Sequence, residues 1–386
     1  MEDTPEFAQM NGFLFPFLGS LLFVAIHIVI YFLLVRHISS RQYVRRFYSA
    51  ILWINLGWSV AYMFMRYTDT PKWLFMLASI SVGVAFSFLI AALIAGAING
   101  ALILIRHHHL APRVKRYILA LCCVYSLYAV YHGLEDPKVE KLSMELDKLS
   151  APLKIVQLSD VHIGGLMDEE RVAKIVFLVN QTQPDIIAIT GDLVDTSLAN
   201  AQSALALLSA LRAKYGVYYV LGNHEYIHDV QDMLEYLPSL GIRVLLNENL
   251  TIGTPELINL AGSADLMGDR LGFLRPDFEK TLANLNPNLP TILLTHQPKV
   301  INILPESLLA KADLLLTGHT HGGQIFPISL AVLLQQPYLK GLHKTKTDGY
   351  IYVSEGTGFW GPPMRALSDA EITLFELLPP RVKPTN

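Results

Sequence analysis

The chain is predicted to be a two-part α/β protein, a bundle of four membrane-spanning helices followed by a domain of two β-sheets with helices outside. Three observations predict it. Residues 1–132 are dominated by long apolar runs rich in Phe, Leu, Ile, Trp and Tyr. Beyond about residue 135, short apolar strands alternate with segments of helical spacing. Polar blocks carrying Asp, Asn and His stand directly after five of those strands.

The spans come first. Residues 12–35, Gly12 to Val35, hold no Asp, Glu, Lys or Arg, and further apolar runs follow at 47–65, 73–105 and 117–134. A helix needs about 20 residues to cross ~30 Å of hydrocarbon. The third run, at 33 residues, is too short for two spans and a turn, so one long or tilted helix is expected. Its Ala92, Gly96 and Gly100 recur every fourth residue, a small-residue face suited to close helix packing. The first run follows Glu2, Asp3 and Glu6 rather than a basic leader, and three spans come after it, so it reads as an anchor, not a cleaved signal. His27 and Asn55 lie inside spans and are expected to hydrogen-bond between helices.

Arg36, Arg41, Arg45 and Arg46 lie between spans one and two, and Arg106, Arg113, Lys115 and Arg116 between spans three and four. Basic loops stay cytoplasmic. Four crossings then leave both the N-terminus and the second half of the chain outside. The expected setting is a bacterial inner or plasma membrane with the soluble domain periplasmic or extracellular. The boundaries are 1–134 for the spans, 135–149 for a linker and first strand, 150–378 for the soluble domain and 379–386 for a loose tail.

Composition excludes some classes. Charged residues are 16% of the chain, below the usual ~25%, as a large membrane unit requires. A net charge of −3 carries no nucleic-acid footprint. Cys122 and Cys123 are the only cysteines and both sit in the fourth run, so the soluble half has no disulfide scaffold.

In the soluble half, 138–147 alternates as a half-buried strand, and 153–158 is a strand ending at Ser159-Asp160. Residues 168–181 have helical spacing, and 185–190 form a buried strand ending at Gly191-Asp192. A helix over 199–214 precedes the strand 218–221, which ends at Gly222-Asn223-His224. A helix near 229–238 follows; then strands at 291–294 and 313–316 run into His296 and Gly318-His319. Strands at 349–354 and 371–377 close the domain. Open α/β sheets collect their sites at the carboxyl ends of strands, so blocks about 160 residues apart can converge.

The blocks supply Asp160, His162, Asp192, Asn223, His296, His319 and His321, hard oxygens and imidazole nitrogens enough for two divalent cations. Two such ions ~3.5–4 Å apart neutralise phosphoryl oxygens, generate hydroxide near neutral pH and align it in line with the leaving group. In Asp160-Val161-His162, extended backbone would point both side chains the same way, onto one metal. Asp192 is the choice for the shared carboxylate, and Gly318, Gly322 and Gly323 for tight turns that leave room for phosphate. His224 directly follows a ligand and is better placed to donate a proton to the leaving oxygen. Asp195 and Glu225 are candidates for orienting ligands. Asp265 and Arg365 are weaker ones; a lone Arg grips phosphate or pairs with a carboxylate.

The ordered set DVH at 160–162, GDLVD at 191–195, GNHE at 222–225, TH at 295–296 and GHTHGGQ at 318–324 resembles the calcineurin-like metallophosphoesterase family, and within it the membrane-associated bacterial branch with GHTHGGQ. The resemblance covers roughly residues 150–378. It implies a four-layer α/β/β/α sandwich and a dinuclear centre of manganese, iron or zinc. It assigns Asp160, His162, Asp192 and His321 to one metal and Asp192, Asn223, His296 and His319 to the other, with His224 as the catalytic non-ligand. The four-span unit departs from the family pattern, since many relatives lack it or carry a single anchor.

One helix would suffice as a tether, so four suggest a phosphorylated lipid or another envelope phosphoester as substrate. Residues 325–339 carry no charged side chain and are read either as a buried helix or as a segment dipping into the membrane interface, with Phe359 and Trp360 joining it. The alternatives are a soluble nucleotide or headgroup diester as substrate, and a metal-dependent sensor without turnover.

Overall fold

The computed structural model describes residues 6–381 except 66, 67, 69 and 229. Residues 2 and 3, and the end of the expected tail at 382–386, lie outside the described residues. The chain divides into two compact units. One comprises residues 1–134 with 361–364, the other residues 135–360 with 365–386.

The first unit holds four helices long and apolar enough to cross a membrane. They are α1 (Glu6–Ile30, continued as a π-helical turn Tyr31–Val35), α2 (Gln42–Met65), α3 (Lys72–Leu104) and α4 (Ala111–Gly133). The third run is indeed a single 33-residue helix. His27 Nε2 lies 2.9 Å from Asn55 Oδ1, and the Asn55 amide donates to the Ser81 carbonyl at 3.2 Å, so a buried imidazole and a half-buried amide tie α1, α2 and α3 together. Ala92 is fully buried, and a Cβ on Gly96 would meet Leu33 at 3.2 Å. At Gly100 nothing approaches, so the small-residue face is used over two of its three positions. Outward-facing Leu121, Val124, Leu127 and Tyr131 leave one side of α4 apolar and exposed, as contact with lipid requires.

The second unit contains twelve strands among its described residues: β1 (Lys138–Glu145), β2 (Leu153–Leu158), β3 (Ile186–Thr190), β4 (Val217–Val220), β5 (Ile242–Val244), β6 (Glu248–Ile252), β7 (Ile258–Gly262), β8 (Thr291–Leu294), β9 (Leu314–Thr317), β10 (Gly341–Lys344), β11 (Tyr350–Val353) and β12 (Glu371–Leu378). They form two six-stranded mixed sheets, ordered β1-β12-β2-β3-β4-β5 and β10-β11-β9-β8-β7-β6. The centre of each is parallel. Alternate residues of β2, β3 and β4 (Ile155, Ile186, Ala188, Tyr218, Val220) meet Leu260, Ile292, Leu294, Leu314 and Leu316 in one core between the sheets. The intervening Val156, Leu158, Ile187, Ile189 and Tyr219 are also fully buried, on the opposite face. Strands covered on both faces read as continuous apolar runs.

Helices α5 (Glu169–Gln181) and α6 (Leu198–Ala206) follow β2 and β3. The Asp168 carboxylate caps α5 by accepting from the Arg171 amide, and Val172, Ile175, Val176 and Val179 make its buried stripe. Behind the second sheet, Val300, Leu304, Leu308 and Leu309 pack on Ala261, Leu293, Leu315 and Val353. The layers match the expected sandwich. The expected helix over 199–214 ends earlier, in a 3-10 turn at Leu207–Ala210. Residues 325–339 contain only a five-residue helix, Ile328–Val332, with Phe326, Leu330, Leu333 and Leu334 exposed, so the buried-helix reading does not hold.

Candidate metal centre

Five loops at the carboxyl ends of β2, β3, β4, β8 and β9 meet in one place. Asp160, Asp192, His296 and His319 each stand two residues beyond the end of their strand, and Asn223 three. The strands' order in the two sheets brings together residues far apart in sequence.

The loop backbone is unusual. Asp160, His162, Asp192, His319 and His321 all have φ between +48° and +70°. Non-glycine residues rarely adopt this region, and such strain clusters at functional sites. The extended-backbone explanation for Asp160 and His162 is therefore wrong: both are left-handed, and the loop curls to present both side chains. Gly318 permits a close approach, since a Cβ there would lie 1.9 Å from Ser159 Oγ and 2.2 Å from Asp160 Oδ2. Gly323 does not leave room for phosphate; a Cβ on it would fall 2.2 Å from the Ser329 Cβ.

Side chains complete three overlapping groups, Asp160–His162–His321, His162–Asp192–His224 and Asp192–His296–His319, whose ligand atoms lie within 4.8 Å of one another in each. His162 Nε2 is 3.0 Å from His321 Nε2, and His321 Nε2 is 3.4 Å from Asp160 Oδ1. Asp192 Oδ2 lies 3.1 Å from His296 Nε2 and 3.9 Å from the Nε2 atoms of His162 and His224. Asn223 Oδ1 is 3.1 Å from His296 Nε2, and His319 Nδ1 is 3.3 Å from it. Lone-pair-bearing nitrogens and oxygens thus face one another in a buried space, an arrangement that suits cations.

Electrostatics agree. Burial lowers His162 to about 4 and His319 to about 3, and takes His321 well below its usual range, with neighbouring positive groups adding to each effect. Neutral imidazoles are the metal-binding form; His296 differs, because burial alone would lower it but the Asp192 carboxylate 3.1 Å away raises it well above its usual range, so a metal there must displace a proton. Burial raises Asp160 to about 6, helped by Asp192. Burial would raise Asp192 too, but the charges of His296 and His224 hold it well below the usual carboxylate range. The residues present fit a pair of divalent ions.

Outer contacts fix the ligands. Asp160 accepts from the His319 amide at 3.0 Å and from the Ser159 hydroxyl at 2.5 Å. His296 Nδ1 faces the Thr190 carbonyl at 2.8 Å, which sets its ring orientation. Glu225 is buried and accepts from four backbone amides, those of Gly222, Asp192, Leu193 and Val194. It orients the loops of β3 and β4, not a ligand ring.

His224 stands at the edge of the cluster. Its amide donates to Asp192 Oδ1 at 2.8 Å, and its Nδ1 lies 2.7 Å from Asp195 Oδ1. Burial alone would lower His224, but the Asp192 charge and the Asp195 bond outweigh it and raise it to about 9. His228 shares Asp195, at 3.6 Å. The ring of Trp360 meets His224 edge-on at 5.7 Å between centroids. Neither His228 nor Trp360 stands in a ligand block, so sequence spacing gave no signal for the first and only an apolar hint for the second.

Two weaker candidates sit elsewhere. Asp265 is buried, and its carboxylate accepts from the Gln297 amide and from Met267 N–H. Arg365 is fully buried, donating to the carbonyls of Glu355, Gly356, Gly358 and Asp369 and to the Ser368 hydroxyl. It also reaches the His321 carbonyl at 3.4 Å, so its bonds brace the turn that carries a ligand, while its Nε–H has no partner among the described residues.

A family model described as calcineurin-like phosphoesterase matches residues 153–323. An uncharacterized metallophosphoesterase of Helicobacter pylori is 39% identical over 338 residues, covering 86% of this chain and 90% of the relative. A Danio rerio transmembrane protein with metallophosphoesterase domain is 33% identical, covering 81% of this chain and 75% of its own length. An uncharacterized metallophosphoesterase of Aquifex aeolicus is 35% identical, over 65% of this chain and 96% of its own length.

Proposed function

This chain belongs to the calcineurin-like phosphoesterase family, and on that premise we propose that it cleaves a phosphorylated lipid, as ester or pyrophosphate, at the headgroup. It is a membrane-associated, dinuclear-metal phosphoesterase. The observation that carries the reading is the convergence of all seven expected ligands with His224 at one place.

In this reading Asp160, His162, Asp192 and His321 hold one ion, and Asp192, Asn223, His296 and His319 the other. When bound, the two ions neutralise the phosphoryl oxygens and activate the attacking water. The chain's own residues do the rest. Asp195 accepts a hydrogen bond from His224 Nδ1–H and fixes the ring. That leaves Nε2–H, directed toward Asp192 Oδ2, to protonate the leaving oxygen.

The lipid assignment is supported by the four apolar helices and by exposed Phe326, Leu330, Leu333 and Leu334 in the charge-free stretch 325–339. The membrane-associated bacterial branch carrying GHTHGGQ is its expected place in the family, and the basic loops support an extracytoplasmic catalytic unit. The test is turnover by the metal-loaded full chain in detergent, comparing intact lipid phosphates with the same headgroups stripped of acyl chains. Preference for the intact lipid is expected. Equal turnover would remove the lipid from the reading, and no hydrolysis of any phosphoester with manganese, zinc or iron would leave a binding role.

A further inference from the structure

We propose that Trp360 is the residue that selects the leaving group, by packing the apolar body of the departing alcohol beside His224. This deepens the reading above and rests on His224 being the proton donor.

Three observations carry it. The indole meets the His224 ring edge-on at 5.7 Å and 70°. A group that leaves as His224 protonates its oxygen must therefore depart alongside the indole. The backbone of Trp360 is also pinned. Its N–H donates to Gln324 Oε1, and its carbonyl accepts from Gln324 Nε2, both at 3.0 Å. Gln324 adopts φ +44°, immediately beyond the turn that carries His321, and its carbonyl accepts from Ala366 N–H at 2.8 Å. The loop bearing the indole is thus bolted to the loop bearing a metal ligand. Finally, Trp360 is 48% exposed, so an apolar ring beside His224 stays open to a ligand. Phe359 beside it is buried, so the two aromatics differ in role.

An indole offers a large apolar face at little entropic cost. It recognises an alcohol with an apolar flank, which an acyl glycerol or a planar nucleoside could supply. Phe326 and Leu330, exposed in the segment that follows Gln324, add apolar side chains to the stretch that pins Trp360 and favour the acyl source.

The experiment uses the full chain in detergent, loaded in turn with manganese, zinc and iron, and compares wild type, Trp360→Ala, Trp360→Phe and His224→Ala. The substrates are dihexanoylglycerol phosphate, glycerol 3-phosphate and thymidine 5′-phosphate, each offered as the monoester and as its methyl diester. Trp360→Ala should lower kcat/KM for the acyl ester by about tenfold and leave glycerol 3-phosphate within about twofold, with metal content unchanged. Trp360→Phe should restore most of the loss. A loss confined to thymidine 5′-phosphate would keep the indole platform and replace the acyl chain by a base. Changes within twofold for all substrates, with His224→Ala inactive, would overturn the role of Trp360 and leave the hydrolase reading standing. Full activity of His224→Ala, or no turnover by wild type, would overturn that reading as well.

Discussion

At the scale of single residues, the centre works by separating two kinds of histidine. His162, His319 and His321 are pushed toward the neutral form by burial and by one another's charge, as ligands must be. His296 and His224 are pushed the other way; for His224 the Asp192 charge is the larger cause and the hydrogen bond to Asp195 at 2.7 Å the next. A proton donor acts only while protonated, so its pKa sets the alkaline limb of the pH–rate profile. Asp195→Asn removes a carboxylate that raises His224. The alkaline limb of kcat should then move to lower pH, and kcat should fall by about 10–100-fold, the usual cost of losing an orienting partner. Bound metal should stay at two per chain, because the carboxylate's hydrogen bonds run to His224 and His228, neither of them an expected ligand. An unmoved limb with lost metal would instead make Asp195 part of the metal site.

At the scale of elements, the strand ends do the assembling, and this was largely legible in advance. β2, β3, β4, β8 and β9 are short and apolar, and each runs straight into its polar block. What stayed hidden was of two kinds. β5, β6 and β10 lie at sheet edges, with short, mixed-polarity sequences such as Glu248–Ile252 that carry no clear alternation, and β7, buried and parallel to β8, has only five residues and no ligand block after it to mark it. The left-handed backbone at Asp160, His162 and Asp192 was hidden as well, because local propensity argues against it and only tertiary contacts enforce it. Glu225 is the clearest of these contacts. Burial and Asp192 push its carboxyl upward, while the amides of Val194 and Gly222 oppose them. Both its oxygens accept backbone N–H groups from the loop of Asp192. Glu225→Gln places an amide donor against some of those N–H groups and should cost about 1–3 kcal/mol of stability. Metal affinity should fall with it, although no ligand has been touched. Gly318→Ala tests the neighbouring loop differently. Its new Cβ overlaps Asp160 and Ser159, and the expected overpacking cost is about 1–3 kcal/mol. Thermal unfolding with and without manganese separates the two effects, since a purely structural loss lowers both midpoints equally.

At the scale of the whole chain, four apolar helices and a hydrolase domain pose a question of side. An even number of crossings puts the start of α1 and the soluble unit in the same compartment, so the connecting loops decide which one. The described Arg36, Arg41, Arg45 and Arg46 precede or open α2, and Arg106, Arg113, Lys115 and Arg116 flank the start of α4. Eight basic residues on two loops of one side make a strong bias. Lys141 on β1 and Arg41 before α2 are both exposed, so each can carry a reporter without disturbing a core. With Cys122 and Cys123 replaced by Ser, the Lys141→Cys variant should react with a membrane-impermeant maleimide in intact bacterial cells. The Arg41→Cys variant should react only after the membrane is opened. The opposite pattern would put the metal centre in the cytoplasm and with it remove envelope phosphoesters from the set of substrates. Labelling of both sites in intact cells would mean that the helices do not form a sealed span, and the membrane reading itself would fail. The expected pattern, by contrast, confines the substrate to molecules that reach the outer surface, where a lipid headgroup is always at hand and a cytoplasmic nucleotide is not.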